Sequence, residues 1–392
     1  MAANLEDIKR RQRGVITTAQ AREAGLSADT IRNLHRSGRW PRLYRGVYAT
    51  FTGEVPRPVM RWAAVLSAGR GALLSHRSAA EELGLVEEEA GAIHVLVPAE
   101  RRIHAAPGIV VHRARRPAER RHPSRLPPQT RVEQTVLDLA SAAVSDDEAM
   151  GWITAACGRR LTTPERITRA LDRRPRLLGR GRLGVLLADA GAGCASVLEW
   201  RYLRNVERAH GLPTAQRQAR RPRPSSSRPS DPISEQKDGQ SGSQGGSRQD
   251  GSGQDRVQPD GGRSGSRQDD RRDGIQQDGR ASGHVGRQDG GGQDGRHGPG
   301  VGGAWYDDVF YRDHGVRVEL DGRAAHPAEH RWRDFRRDNA AAESGEVVLR
   351  YGAAEVGGDP CAVAVQVAAV LRTRGWVGSA RRCGPGCRAV RW

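Results

Sequence analysis

Between Ala219 and Gly303 the chain has almost no large apolar residue beyond Ile233, Val257, Ile275 and Val285, scattered among repeated RQDG, QDG, GSG and GGR units. Such a segment cannot bury enough surface to offset the entropy of ordering it, so it is expected to be a disordered insertion over 219–303. Any packed core must therefore come from residues 1–218 and 304–392. As a flexible coil, the insertion would span roughly 50 Å r.m.s.. It holds fourteen basic and twelve acidic residues, a net of +2, so +16 of the chain's +18 lies on the rest.

That concentration of charge suggests a polyanionic partner. Only Lys9 and Lys237 are lysines, so 62 of the 64 basic residues are arginine. The skew is what a GC-rich coding sequence produces, yet the guanidinium fork suits bidentate phosphate contacts. No apolar run is long enough to span a bilayer, and the first residues, MAANLEDIKRRQRG, lack the apolar stretch of a signal peptide. Five scattered cysteines, Cys157, Cys194, Cys361, Cys383 and Cys387, fit reduced thiols in a cytoplasm. Cys383 and Cys387 bracket a GPG turn. A zinc site wants four ligands, however, and no histidine lies near them in sequence.

Residues 1–50 read as a helix, turn, helix and wing. Thr17 or Thr18 starts a helix to about Ala24, and Gly25 makes the turn. Ser27 caps a second helix that Gly38 stops. RWPRLYRGVYA, Arg39 to Ala49, bends at a glycine as a β-wing would. In this arrangement the second helix enters the major groove. Its outward residues Arg32, Asn33 and Arg36, with Arg39 beyond it, are the candidate DNA contacts. The segment resembles the N-terminal domain of AbiEi-type antitoxins of type IV toxin–antitoxin systems. That resemblance implies double-stranded DNA as a partner, and a cognate toxin or defence partner as another.

Residues 51–190 read as an α+β middle region. MRWAAVLSAG and SHRSAAEELGL are helices, and IHVLVP and GIVVHRAR are strands. PPQTRVEQTVLDLASAA is a helix entered after two prolines, and further helices fall near 146–157, 163–171 and 184–190. His76, standing alone at a helix start, reads as structural. The Arg- and His-rich stretch Arg101 to Arg125 suits either a phosphate-facing surface or a solvated loop.

The chemistry concentrates in YDDVFYRDHGVRVELDGRAAH, Tyr306 to His326. VRVELD alternates, with Val316, Val318 and Leu320 on one face and Arg317, Glu319 and Asp321 on the other. RDHG is turn-forming, and either a four-residue or a two-residue loop puts Asp308 opposite Glu319, with Cβ atoms roughly 4.5–5.5 Å apart. Asp307 falls on the other face. Opposed carboxylates destabilise a hairpin unless a cation lies between them, and Mg²⁺ or Mn²⁺ takes such oxygens. The predicted site is Asp308, Glu319 and Asp321.

D-x10-E-x-D-G followed by His resembles the core of the very-short-patch-repair-like endonucleases, within the wider PD-(D/E)xK nucleases. The likeness continues through RWRDFRRDNAAAESGEVVLRYG, Arg331 to Gly352. It implies that Asp308 and Glu319 bind the metal and that Asp321 stands where the wider fold has a lysine. It implies too that His326 is the candidate base, and that Glu199 on the first core helix approaches the metal. Ser196 and Glu199 also have the spacing of a capping box, which explains Glu199 without catalysis. Asp321 is an alternative proton acceptor, and Arg350 or Arg323 would steady the phosphate. The expected chain is thus a multidomain α/β protein: winged helix 1–50, middle 51–190, first nuclease helix 194–218, insertion 219–303, nuclease core 304–378 and tail 379–392. The expected core order is helix Ser196–Gly211, strands at 305–311 and 316–321, helix Pro327–Glu343, strand Glu346–Tyr351, and a last helix with Asp359 as cap and Pro360 first. Three functions fit this reading: a metal-dependent endonuclease, a non-catalytic antitoxin-like regulator, or a protein-interaction adaptor in phage defence that uses the disordered arm.

Overall fold

A computed structural model describes residues 4–103, 106–221, 305–321 and 342–389. Local capping chemistry sets the first elements. Asn4 accepts the Glu6 amide and opens α1 (Leu5–Arg11), which β1 (Val15–Thr17) follows. Thr17 and Gln20 cap each other reciprocally at the start of α2 (Thr18–Glu23). Ser27 accepts the Thr30 amide at 3.0 Å and opens α3 (Ala28–Arg36). Gly38, at φ 75°, turns the chain out of that helix. The wing is β2 (Arg42–Tyr44) and β3 (Val47–Ala49), and β3 also pairs with β1. Ile8, Ile16, Ala21, Ile31 and Trp40 form the core beneath α3. Helix α1 escapes a pattern reading because Ile8 is its only buried residue.

Next come α4 (Arg57–Ala68), β4 (Leu73–Leu74), α5 (His76–Glu82), β5 (Ile93–Pro98), β6 (Ile109–Ala114) and α6 (Pro117–Arg120). The sheet order is β4-β5-β6, with β4 antiparallel and β6 parallel to β5. Its core includes Val15, Tyr44 and Val47 of the winged helix, so apolar packing runs across residue 50. Arg61 of α4 is buried among Glu81, Glu82 and Glu88. A helical layer follows: α7 (Val132–Ala142), α8 (Asp146–Gly158), α9 (Pro164–Asp172) and α10 (Arg180–Gly191). Its core of Leu137, Met150, Ile153, Ile167, Leu183 and Leu186 extends to Trp200 and Leu203.

The last part begins with α11 (Val197–Arg201), which widens into π-helical turns over Tyr202–Arg208. Strands β7 (Gln216–Arg221), β8 (Trp305–Tyr311), β9 (Val316–Asp321) and β10 (Val347–Gly352) follow, then α12 (Ala353–Gly358) and α13 (Pro360–Thr373). The sheet order is β10-β9-β8-β7, antiparallel except for the parallel β9–β10 pair. Val309, Tyr311, Val316, Val318 and Leu320 pack against Leu198, Tyr202 and Val206 and against Val363, Val367 and Leu371. Asp359 caps α13 by accepting the Ala362 amide at 3.0 Å.

Strand β7 revises the sequence reading, which began the insertion at Ala219. QRQARR has no apolar alternation, and pairing with β8 gives it a place in the sheet. The rest of the insertion, most of helix Pro327–Glu343, and Arg323 and His326 lie outside the described residues.

Candidate functional site

The β8–β9 hairpin has the four-residue loop. Tyr311 pairs with Val316, Arg312–His314 make a 3₁₀ turn, and Gly315 sits at φ 59°, where glycine alone is unstrained. The register, Phe310 to Arg317 and Val309 to Val318, leads next to Asp308 and Glu319. Just beyond that last pair, the Leu320 amide donates to Asp308 Oδ2 at 2.8 Å. The Asp308 side chain thereby closes the gap between two strands, and its position is set by backbone geometry.

Glu199 approaches β7 from α11. Ser196 Oγ accepts the Glu199 amide at 3.1 Å, as the capping spacing predicts. Glu199 Oε2 accepts from the Ala195 amide at 3.0 Å and from Gln218 Nε2 at 3.2 Å. The carboxylate therefore caps its helix and faces β7 at once. It is 5% exposed. Burial raises its pKa, and the negative charge of Asp308 raises it further. Gln218, which carried no sequence signal, holds a backbone φ of 51°.

On β9, Asp321 lies 3.6 Å from Arg350 Nη1 on β10, and Arg350 is in register with Glu319. The structure thus sets Asp308, Glu319, Asp321 and Arg350 on adjoining strands. Among the described residues, no three of these acids bring an oxygen each within 4.8 Å of one another. Hard carboxylate donors in ones and twos still suit Mg²⁺, which completes its shell with water and substrate phosphate. Asp307 departs from strict alternation. It is buried and ion-paired with Arg317, the residue opposite Phe310, whereas the pleat alone would turn it toward the apolar side. An unpaired carboxylate in that core would be costly, and pairing with Arg317 removes the penalty. Arg317 is itself buried, stacked 4.0 Å over Phe310 and bonded to Glu346 at 2.6 and 2.8 Å.

On the winged helix, Ile31 faces inward while Arg32, Asn33, Arg36 and Arg39 are exposed. Arg32 pairs with Asp29 one turn away. These four side chains form a solvent-facing strip along α3 and the start of the wing.

His76 does not stand alone. It stacks on His112 with ring centroids 3.6 Å apart, and His94 Nδ1 lies 3.0 Å from His112 Nε2. Burial lowers the pKa of all three, His76 to about 4. The contact between His94 and His112 needs one ring nitrogen to donate and the other to accept, which fits neutral imidazoles. His94 and His112 come from neighbouring parallel strands, so sequence spacing held no hint of the trio.

A family model described as a transcriptional regulator, AbiEi antitoxin, matches residues 5–50. Residues 5–50 form an AbiEi antitoxin-like domain. That domain is the winged helix built by α1 to α3 and the β1-β3-β2 sheet. No curated protein matches the chain. Among solved structures, the RV2827C protein from Mycobacterium tuberculosis is similar at 22% identity and a TM-score of 0.33, covering 47% of this chain and 75% of that one. Among the described residues, no helix is long and apolar enough to cross a membrane.

Proposed function

We propose that this protein binds duplex DNA through its AbiEi-like winged helix and cleaves phosphodiester bonds through its C-terminal sheet domain with a divalent metal. The observation that carries the reading is that the Leu320 amide of β9 holds the Asp308 carboxylate of β8, while the buried Glu199 of α11 feels the charge of Asp308. The order of helix, three antiparallel-linked strands and a parallel fourth strand supports it too.

In this reading Asp308 and Glu319 would hold Mg²⁺ or Mn²⁺, which would supply Lewis acidity toward the phosphodiester. Asp308 is oriented by the Leu320 amide. Burial raises the Glu199 pKa, and a cation nearby would lower it. Asp321 or His326 takes the proton from the attacking water, and Arg350 steadies the phosphate. The exposed strip Arg32, Asn33, Arg36 and Arg39 supplies the DNA contacts.

A second reading is a non-catalytic regulator with a cognate toxin as partner, which the family match over residues 5–50 also supports. Supercoiled plasmid with Mg²⁺ or Mn²⁺ separates the two, run beside Asp308→Ala. Metal-dependent nicking by the wild type alone supports the endonuclease. Salt-sensitive duplex binding with no nicking by either protein supports the regulator.

A further inference from the structure

The end of the chain returns to the end of the first sheet-domain helix. After α13, the Arg381 amide donates to the His210 carbonyl at 2.8 Å and Arg381 Nη2 to the Arg208 carbonyl at 2.9 Å. Ala380, Cys387 and Ala389 are buried, although the sequence reads there as a loose tail. Four side chains converge at this junction: His210 after the π-helical turns, Cys361 in the first turn of α13, and Cys383 and Cys387 in the tail. One ligand atom from each lies within 4.8 Å of all the others.

We propose that His210, Cys361, Cys383 and Cys387 form a structural zinc site. The set is Cys₃His, with Cys383 and Cys387 separated by the short GPG turn, a spacing usual for paired zinc ligands. A regular tetrahedron with Zn–S and Zn–N bonds of about 2.3 and 2.05 Å has edges of about 3.8 Å between sulfurs and about 3.6 Å between sulfur and nitrogen. Cys361 and Cys383 sulfurs are 3.7 Å apart, and Cys387 Sγ is 3.5 Å from His210 Nε2. The sulfurs are far beyond the roughly 2.05 Å of a disulfide.

The surrounding bonds are those such a site needs. His210 is fully buried, and its Nδ1 donates to the Val206 carbonyl at 3.1 Å, which points the Nε2 lone pair at the thiols. The Ala389 amide donates to Cys387 Sγ at 3.4 Å, and the Cys387 amide closes the turn on the Gly384 carbonyl at 3.1 Å. Cys361 sits in the first turn of α13, where packing holds its sulfur toward the tail cysteines. The ion displaces the thiol protons and ties helix α11, α13 and the tail together. Four ligands leave no position open for substrate, so the site is structural and separate from the acids of β8 and β9.

The test uses the untagged full-length chain, made with zinc in the medium and purified under reducing conditions. Elemental analysis should find about one zinc per chain. Cys383→Ser, at an exposed position, and Cys387→Ala should each lose most of it, while Cys157→Ala keeps it. Cobalt added to the reduced, chelator-stripped protein should give thiolate charge-transfer and tetrahedral d–d bands. Two results would overturn the proposal. One is wild-type protein without zinc that also gives no such bands. The other is a native Cys361–Cys383 disulfide seen by mass spectrometry in the reduced preparation.

Discussion

Gln218 Nε2 donates to Glu199 Oε2 at 3.2 Å from a backbone held at φ 51°. A non-glycine residue in that region costs about 1–3 kcal/mol and persists where its surroundings fix it. Here the conformation aims the amide of β7 at the carboxylate of α11. Replacing Gln218 by Ala should remove a donor from the ionised form and raise the Glu199 pKa further. Carboxylate titration by ¹³C NMR reads this directly, and an unmoved value would show that the bond does not matter.

Glu199 itself sets a pH dependence. Its folded pKa lies above the unfolded one, so its favourable contribution is full below the unfolded value and is lost as pH rises through the folded one. At neutral pH without metal, Glu199→Gln should therefore stabilise the protein, on the order of 1 kcal/mol. Chemical denaturation over a series of pH values should show the gain growing as pH rises.

Divalent metal should raise the melting temperature through Asp308. An ion at 100 times its Kd adds about 2.7 kcal/mol. Asp308→Asn keeps an acceptor for the Leu320 amide but loses the charge, so it should fold and lose this shift, along with any metal-dependent nicking. Scanning calorimetry with and without Mg²⁺ decides it. An undiminished shift in the variant would move the metal elsewhere.

Arg36→Ala and Arg39→Ala should weaken duplex binding. An arginine that neutralises one phosphate adds about 0.9 to the steepness of log affinity against log salt, and its removal flattens the slope by that amount. A side chain that reads a base would instead cost about 1–3 kcal/mol and relax preference at one position. Binding titrations at several salt concentrations tell the two roles apart.

The stacked histidines predict acid sensitivity. His76, lowered to about 4, packs with His94 and His112 and feels Asp138 and Arg174. Its folded pKa is below its unfolded one, so stability is full above about 6.5 and falls as pH drops toward 4. His76→Phe should flatten that decline in urea unfolding measured between pH 7 and 4.5.

Much of this protein was legible locally. The caps at Thr17, Ser27, Ser196 and Asp359, the RDHG turn and the register that pairs Val309 with Val318 follow from neighbouring residues. A cap or turn is made within a few positions, so its chemistry is written in the string. Strand β7 was not legible, because its place comes from pairing with β8 rather than from an apolar pattern. Nor were the partners of Glu199, the company of His76, or the meeting of His210 with Cys387 across 177 positions. Those meetings exist only after distant segments pack. Side-chain chemistry at each position was visible in sequence, but which groups share a site is settled by the tertiary fold.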